Sequence, residues 1–223
     1  MRVNIMKLIK EYLAFTSFVY RSVMFGIMPL VCIAGYICVG VFNHNYAGVL
    51  FSAMPVMVLV AEIVADTWLF GGIQGKDAAK IDYLKTSPKG MGMLRNALAM
   101  DLVRRFLFLL LVMTVCALAN IALGVEMYGG DWVRRLAITL SLILSSYMVS
   151  VLCILFARFG SMLWQNMLAA YLGIFLESVC IGAVIAFDHP FAWAFLYAVL
   201  AAGASVLAVK IAMKKVRGGY YDK

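Results

Sequence analysis

The chain alternates between long apolar runs and short polar breaks. A helix needs about 20 apolar residues to cross the hydrocarbon layer of a bilayer, and six runs reach that length. They predict spans over about Ser22–Phe42, Ala47–Phe70, Phe106–Glu126, Arg135–Ala157, Asn166–Phe187 and Phe191–Met213. Ahead of the first span, Ile5, Leu8, Ile9, Tyr12 and Leu13 share one face at helical spacing, and Thr16 interrupts the stripe. That pattern predicts an amphipathic helix within residues 1–21 lying along the membrane surface. No A-x-A cleavage site follows the first apolar run, so a removed signal peptide is not expected.

Three connections are short and centre on "NHNY", "YGGDW" and "FDHP". The one long polar insert is residues 71–105. The predicted fold class is therefore all-α: a polytopic membrane protein with six transmembrane helices, forming one domain over residues 1–223.

Composition agrees. The chain has 223 residues, 65% of them hydrophobic and 13% charged, with a mean hydropathy of +0.97. A soluble domain of this size carries far more polar surface. The net charge of +8 is read as topology, not as a nucleic-acid footprint. With six spans both termini share one side, and that side takes all of the 19 Lys and Arg except Arg134 and Arg135. The positive-inside rule then places both termini in the cytosol. Trp68, Trp132, Trp164 and Trp193 all fall near span ends, where an indole sits half in lipid and half in water. The five cysteines lie in apolar runs without C-x-x-C spacing and are read as buried thiols. His44 and His189 are too isolated to suggest a metal.

"FGGIQGKDAAKIDYLKTSPKG", Phe70 to Gly90, raises the question of a phosphate-binding loop. A P-loop reads G-x-x-x-x-G-K-[ST]. Here Asp77 follows Gly75-Lys76, Phe70 stands where the first glycine belongs, and a membrane helix precedes in place of a strand. The loop is excluded, and Gly71, Gly72 and Gly75 are read as the end of the second span. From Lys76 to Lys85 nothing breaks a helix, and Ile81, Tyr83 and Leu84 give it a small apolar face. Ser87 and Pro88 then suit an N-cap and first position of a new helix, continued by Met91, Leu94, Leu98 and Leu102.

"IDYLKTSP", between the second and third of six spans, resembles the "LELLLTSP"-like core of permeases of the ABC type-2 exporters. Asp82 matches an acidic position, Leu84 a leucine, and Thr86-Ser87-Pro88 the turn. Gly75, Ala79, Lys80 and Lys85 depart from the family pattern. The resemblance implies that Lys80, Ile81, Asp82, Tyr83, Leu84, Lys85, Thr86, Ser87 and Pro88 dock a separate cytosolic ABC ATPase as a coupling helix. It further implies a second permease, identical or related, and a place in the plasma membrane of a bacterium. This chain would hold no cofactor, with ATP and magnesium in the partner. It would not itself be an enzyme.

Acids inside spans are the other candidates. Glu62, Asp66 and Glu177 lie within predicted spans; an unpaired central acid costs roughly 2.5–3.5 kcal/mol, so Glu177, near the middle of span five, is expected to be neutral, paired or facing water. All three are assigned to the export path or to the seam between permeases. Span four carries Ser141, Ser145, Ser146 and Ser150, read as packing hydroxyls. Ala194, Ala198 and Ala202 suggest close helix approach in span six. The cargo expected is amphipathic: a peptide, a lipid or a hydrophobic drug. An alternative is the substrate-binding subunit of an energy-coupling vitamin importer, against which the long insert speaks. No H-E-x-x-H, G-x-S-x-G or paired-aspartate motif points to an intramembrane enzyme.

Overall fold

A computed structural model describes the backbone of residues 5–69, 86–125, 131–159, 163–187 and 189–217. Side chains are described over the same ranges except at 44–45, 66–69, 156–159, 163 and 165–166. Among the described residues there is no strand. The helices are α1 (Ile5–Ala14), α2 (Phe18–Ser22), α3 (Met28–Phe42), α4 (His44–Leu69), α5 (Gly90–Ala122), α6 (Trp132–Phe159), α7 (Leu163–Ala186) and α8 (Pro190–Arg217). One π-helical turn, Val23–Ile27, joins α2 to α3, so Phe18–Phe42 is one continuous span. Among the described residues six helices are long and apolar enough to cross a membrane, at the places the hydropathy predicts except that the third begins at Gly90 and not at Phe106.

Local chemistry sets the boundaries. The Ser17 side chain accepts a hydrogen bond from the Tyr20 amide and starts α2, a standard N-cap. Pro29 has no N–H and its ring crowds the carbonyl four residues back, at Phe25; that carbonyl lies in the π-helical turn, which absorbs the misfit. The third span stops at Ala122, four residues before the hydropathy does. Gly124 takes a positive φ of 67°, the Val125 amide bonds the Asn120 carbonyl at 2.9 Å, and the Gly124 amide bonds Ile121 at 3.3 Å. This is a Schellman cap, in which a left-handed glycine turns the last carbonyls inward. At the other end, α5 begins at Gly90 and not at Pro88. The Gly90 amide donates to the Ser87 carbonyl at 3.0 Å, and Lys89 has φ −106° and ψ −12°. Pro88 thus occupies the second position of a type I turn, which its fixed φ suits, and the Ser87 side chain does not cap the helix.

α6 is the most buried span and packs against α4, α5, α7 and α8. Its partner face on α8 is Ala194, Tyr197, Ala201, Ala204 and Ala208, all buried. The steps of three and four are those of a left-handed helix pair. Ala202, expected on this face, is exposed, and Ala198 is only half-buried; a strict four-residue period drifts off a seam whose true period is 3.5. α7 meets α4 and α6 through Gly173, where an added Cβ would lie 2.9 Å from Cys153 Sγ and 3.0 Å from Leu59 Cδ2. Around the rim, Leu30, Phe42, Phe175 and Phe195 are exposed, as lipid-facing side chains are. Cys116 and Cys153 are buried as read from the sequence, but Cys38 is exposed.

Gly173→Val is expected to wedge α7 away from α4 and α6 at a cost of about 1–3 kcal/mol. The purified variant should show a lowered thermal midpoint, partly restored by Cys153→Ala; an unchanged midpoint would refute the close approach.

Candidate functional site

Among the described residues, the charged residues of the third span form the densest polar site. Asp101, Arg104 and Arg105 stand at i, i+3 and i+4 on α5, so they share one helix face. Asp101 Oδ2 pairs with Arg105 Nε at 2.9 Å, and Asp101 Oδ1 lies 3.4 Å from Arg104 Nε. Glu62 on α4 faces them. Arg104 Nη1 donates to Glu62 Oε1 at 2.7 Å, and Arg104 Nη2 and Arg105 Nη1 both donate to Glu62 Oε2. The Arg104–Glu62 pair is a two-pronged fork, the strongest geometry a guanidinium makes with a carboxylate. All four side chains are buried, Asp101 completely. Two acids balance two bases, so the group is neutral as a whole.

The N-terminal segment covers this cluster. Tyr12 on α1 directs its hydroxyl toward Asp101 Oδ1 at 3.4 Å and shares a 3.1 Å hydrogen bond with Tyr20 on α2. Arg104 lies over the Tyr20 ring, 5.8 Å from its centre, a cation–π contact. Burial first, and the Asp101 charge second, push the Tyr12 hydroxyl well above its ordinary pKa. It remains a donor at any pH the protein meets. Beside it, Asn96 Nδ2 donates to Glu11 at 2.7 Å, fastening α5 to α1, and Lys7 pairs with Glu11 at 3.8 Å within α1. On the membrane side of the cluster, a cleft of about 420 Å³ is lined by Ile9, Tyr12, Leu13, Met24, Phe25, Pro29, Met100, Val103, Arg104, Leu107, Phe108 and Leu111. It is apolar except for Tyr12 and Arg104.

A second polar centre lies at mid-span. Glu177 on α7 is fully buried, and its Oε1 accepts from Ser145 on α6 at 3.3 Å. Glu177 Oε2 has no partner among the described residues. Two more serines of α6 reach further helices: Ser141 donates to the Pro190 carbonyl of α8 at 2.8 Å and Ser146 approaches the Pro55 carbonyl of α4 at 3.4 Å, while the buried Ser150 hydroxyl has no partner among the described residues. A third centre lies at the opposite end of the bundle, where the Tyr36 hydroxyl reaches the Ala47 carbonyl at 3.2 Å and the Asn120 side chain.

Of the acids singled out in the sequence, Glu62 and Glu177 are thus both inside the helix bundle, each on a named partner, and in separate centres. The Asp66 side chain lies outside the described residues. So do Lys80, Ile81, Asp82, Tyr83, Leu84 and Lys85. Thr86 and Pro88 are exposed and Ser87 is half-buried, just before α5. Arg104 and Arg105, counted in the sequence among the cations of the insert, are helix-borne and ion-paired. The sequence reading missed Asp101, Tyr12, Tyr20, Tyr36 and Asn120 as site residues. The signal available was an acid followed by two arginines at helical spacing beside an apolar run that begins at Phe106.

Comparison with protein-family models, with curated proteins and with solved structures gives no match.

Glu62→Gln and Arg105→Gln should each cost about 3–5 kcal/mol, because each strands a buried charge. Combined they should cost less than the sum of the two, by more than about 0.5 kcal/mol. Thermal unfolding of the purified proteins checks this, and strict additivity would show that the charges do not act as a unit. Glu177→Gln should keep the fold within about 1 kcal/mol, since the amide oxygen still accepts from Ser145; a variant that fails to accumulate would show that the carboxyl itself is structural.

Proposed function

We propose that the chain is the membrane-spanning permease subunit of an ATP-driven exporter of the ABC type-2 kind, powered by a separate cytosolic ATPase. One observation carries the reading: the two helices that flank the polar insert are locked together by the charge cluster. From Glu62 to Leu69, α4 runs on for about 10 Å, and from Arg104 back to Gly90, α5 runs for about 21 Å. α5 is thus one unbroken rod from Gly90 through the charge cluster to Ala122. A push on the insert between Leu69 and Gly90 cannot move one helix without straining the ion pairs to the other. Such a lever is what a coupling helix over Lys80–Pro88 requires, and the "IDYLKTSP" resemblance supports its role.

The cargo is amphipathic in this reading. The cleft under α1 supports it: its lining is apolar except for the guanidinium of Arg104 and the phenol of Tyr12. Both termini and the insert are cytosolic, on the positive-inside argument, and a second permease copy or relative completes the transporter.

Leu84→Asp should cut export by about tenfold or more through loss of one apolar anchor, with membrane insertion unchanged and the ATPase no longer retained on the purified permease. Normal export by that variant, or labelling of Tyr83→Cys by an impermeant reagent from outside the cell, would overturn the assignment.

A further inference from the structure

We propose that the cleft between α5 and α8 at the basic end of the bundle binds the phosphate of an anionic phospholipid from the adjoining leaflet. The cleft holds about 500 Å³ and is lined by Arg95 of α5 and by Val209, Lys210, Met213, Lys214 and Arg217 of α8. Four of the six are cations and none is an acid. All four cations are exposed, and among the described residues none of them is in an ion pair. The acid on the neighbouring surface, Glu11, is taken up by Asn96 and Lys7.

Depth points to lipid. About 20 helical residues cover a hydrocarbon layer of about 30 Å. Counted from Pro190 along α8, the hydrocarbon ends near Lys210; counted back from Ala122 along α5, it ends near Leu102. Lys210, Lys214 and Arg217 stand at that border or just beyond it, and Arg95 lies about 10 Å past Leu102. The cations therefore sit in the headgroup layer. Met213 is buried and Val209 half-buried, and Met213 packs with Leu94, Ala97, Leu98, Ala212 and Val216. The site has an apolar floor for the glycerol and first methylenes and a cationic rim for the phosphate. Lys214 and Arg217 also lie in the last turn of α8, where cations offset the helix dipole. That role does not account for Lys210, which is earlier, nor for Arg95, which reaches the same cleft from another helix. Basic pockets between spans at a headgroup layer select anionic lipids in this way, with arginine forking onto phosphate oxygens and lysine supplying point charge.

The test uses the full chain in nanodiscs of mixed phosphatidylglycerol and phosphatidylcholine, with retained lipid read by native mass spectrometry. Phosphatidylglycerol should be enriched, and the enrichment should fall about fivefold for each cation removed in the series Lys210→Gln, Lys214→Gln, Arg95→Gln. Lys210→Arg should keep it, and so should Arg134→Gln, at the opposite end of the bundle. Equal retention of both lipids, or enrichment unchanged in the triple variant, would overturn the proposal. Displacement of phosphatidylglycerol by inorganic phosphate would reassign the site to a free anion. Displacement by poly-glutamate would reassign it to an acidic protein partner.

Discussion

The buried group of Glu62, Asp101, Arg104 and Arg105 constrains everything around it. A charge inside a low-dielectric bundle cannot be left alone: separating one from its partner costs about 3–5 kcal/mol. Four such charges, balanced two against two, therefore demand that α4 and α5 meet in one register. The same demand draws in Tyr12 and Tyr20, since the lone pairs of Asp101 and the flat face of Arg104 both need cover. One neutral knot thus fixes α1, α2, α4 and α5 together.

The rest of the bundle repeats the principle more gently. Between helices in lipid there is no hydrophobic driving force of the aqueous kind, so close packing and interhelical hydrogen bonds must supply order. α6 supplies much of it. Its alanine-faced contact with α8 allows close approach, and its serines reach α4, α7 and α8 in turn. Tyr36 and Asn120 tie α3, α4 and α5 at the far end. Polar centres thus sit at three depths: strongly charged at the basic end, a single carboxyl at mid-span, neutral amide and phenol at the other end. Glu177 differs from the rest because one of its oxygens is unpartnered. It is the least satisfied buried acid in the described structure.

Rigidity at the basic end has a functional sense in the proposed transporter. α5 is shared by the charge knot, by the cleft under α1 and by the cationic cleft beside α8. Motion delivered to its N-terminal end would be felt at all three. An anionic lipid seated against Arg95 and Lys210 would couple the ends of α5 and α8, two helices that otherwise touch only sparingly, to the same rod.

The amino-acid sequence alone determined the number of spans and, except for the start of the third, their places within a few residues, because both follow from the length of apolar runs and the cost of burying charge. It also marked Glu62 and Glu177, since an acid within an apolar run stands out by itself. It did not reveal that Arg104 and Arg105 are buried partners, since next to Lys89 and Arg95 they read as loop charges. Their role depends on α5 continuing unbroken from Gly90 and on Glu62 arriving from 42 residues away. The 3.5-residue seam of α8 and the glycine stop at Gly124 were likewise decided in three dimensions. The face a helix buries is chosen by its neighbour, and neighbours are set by packing between segments distant in the chain.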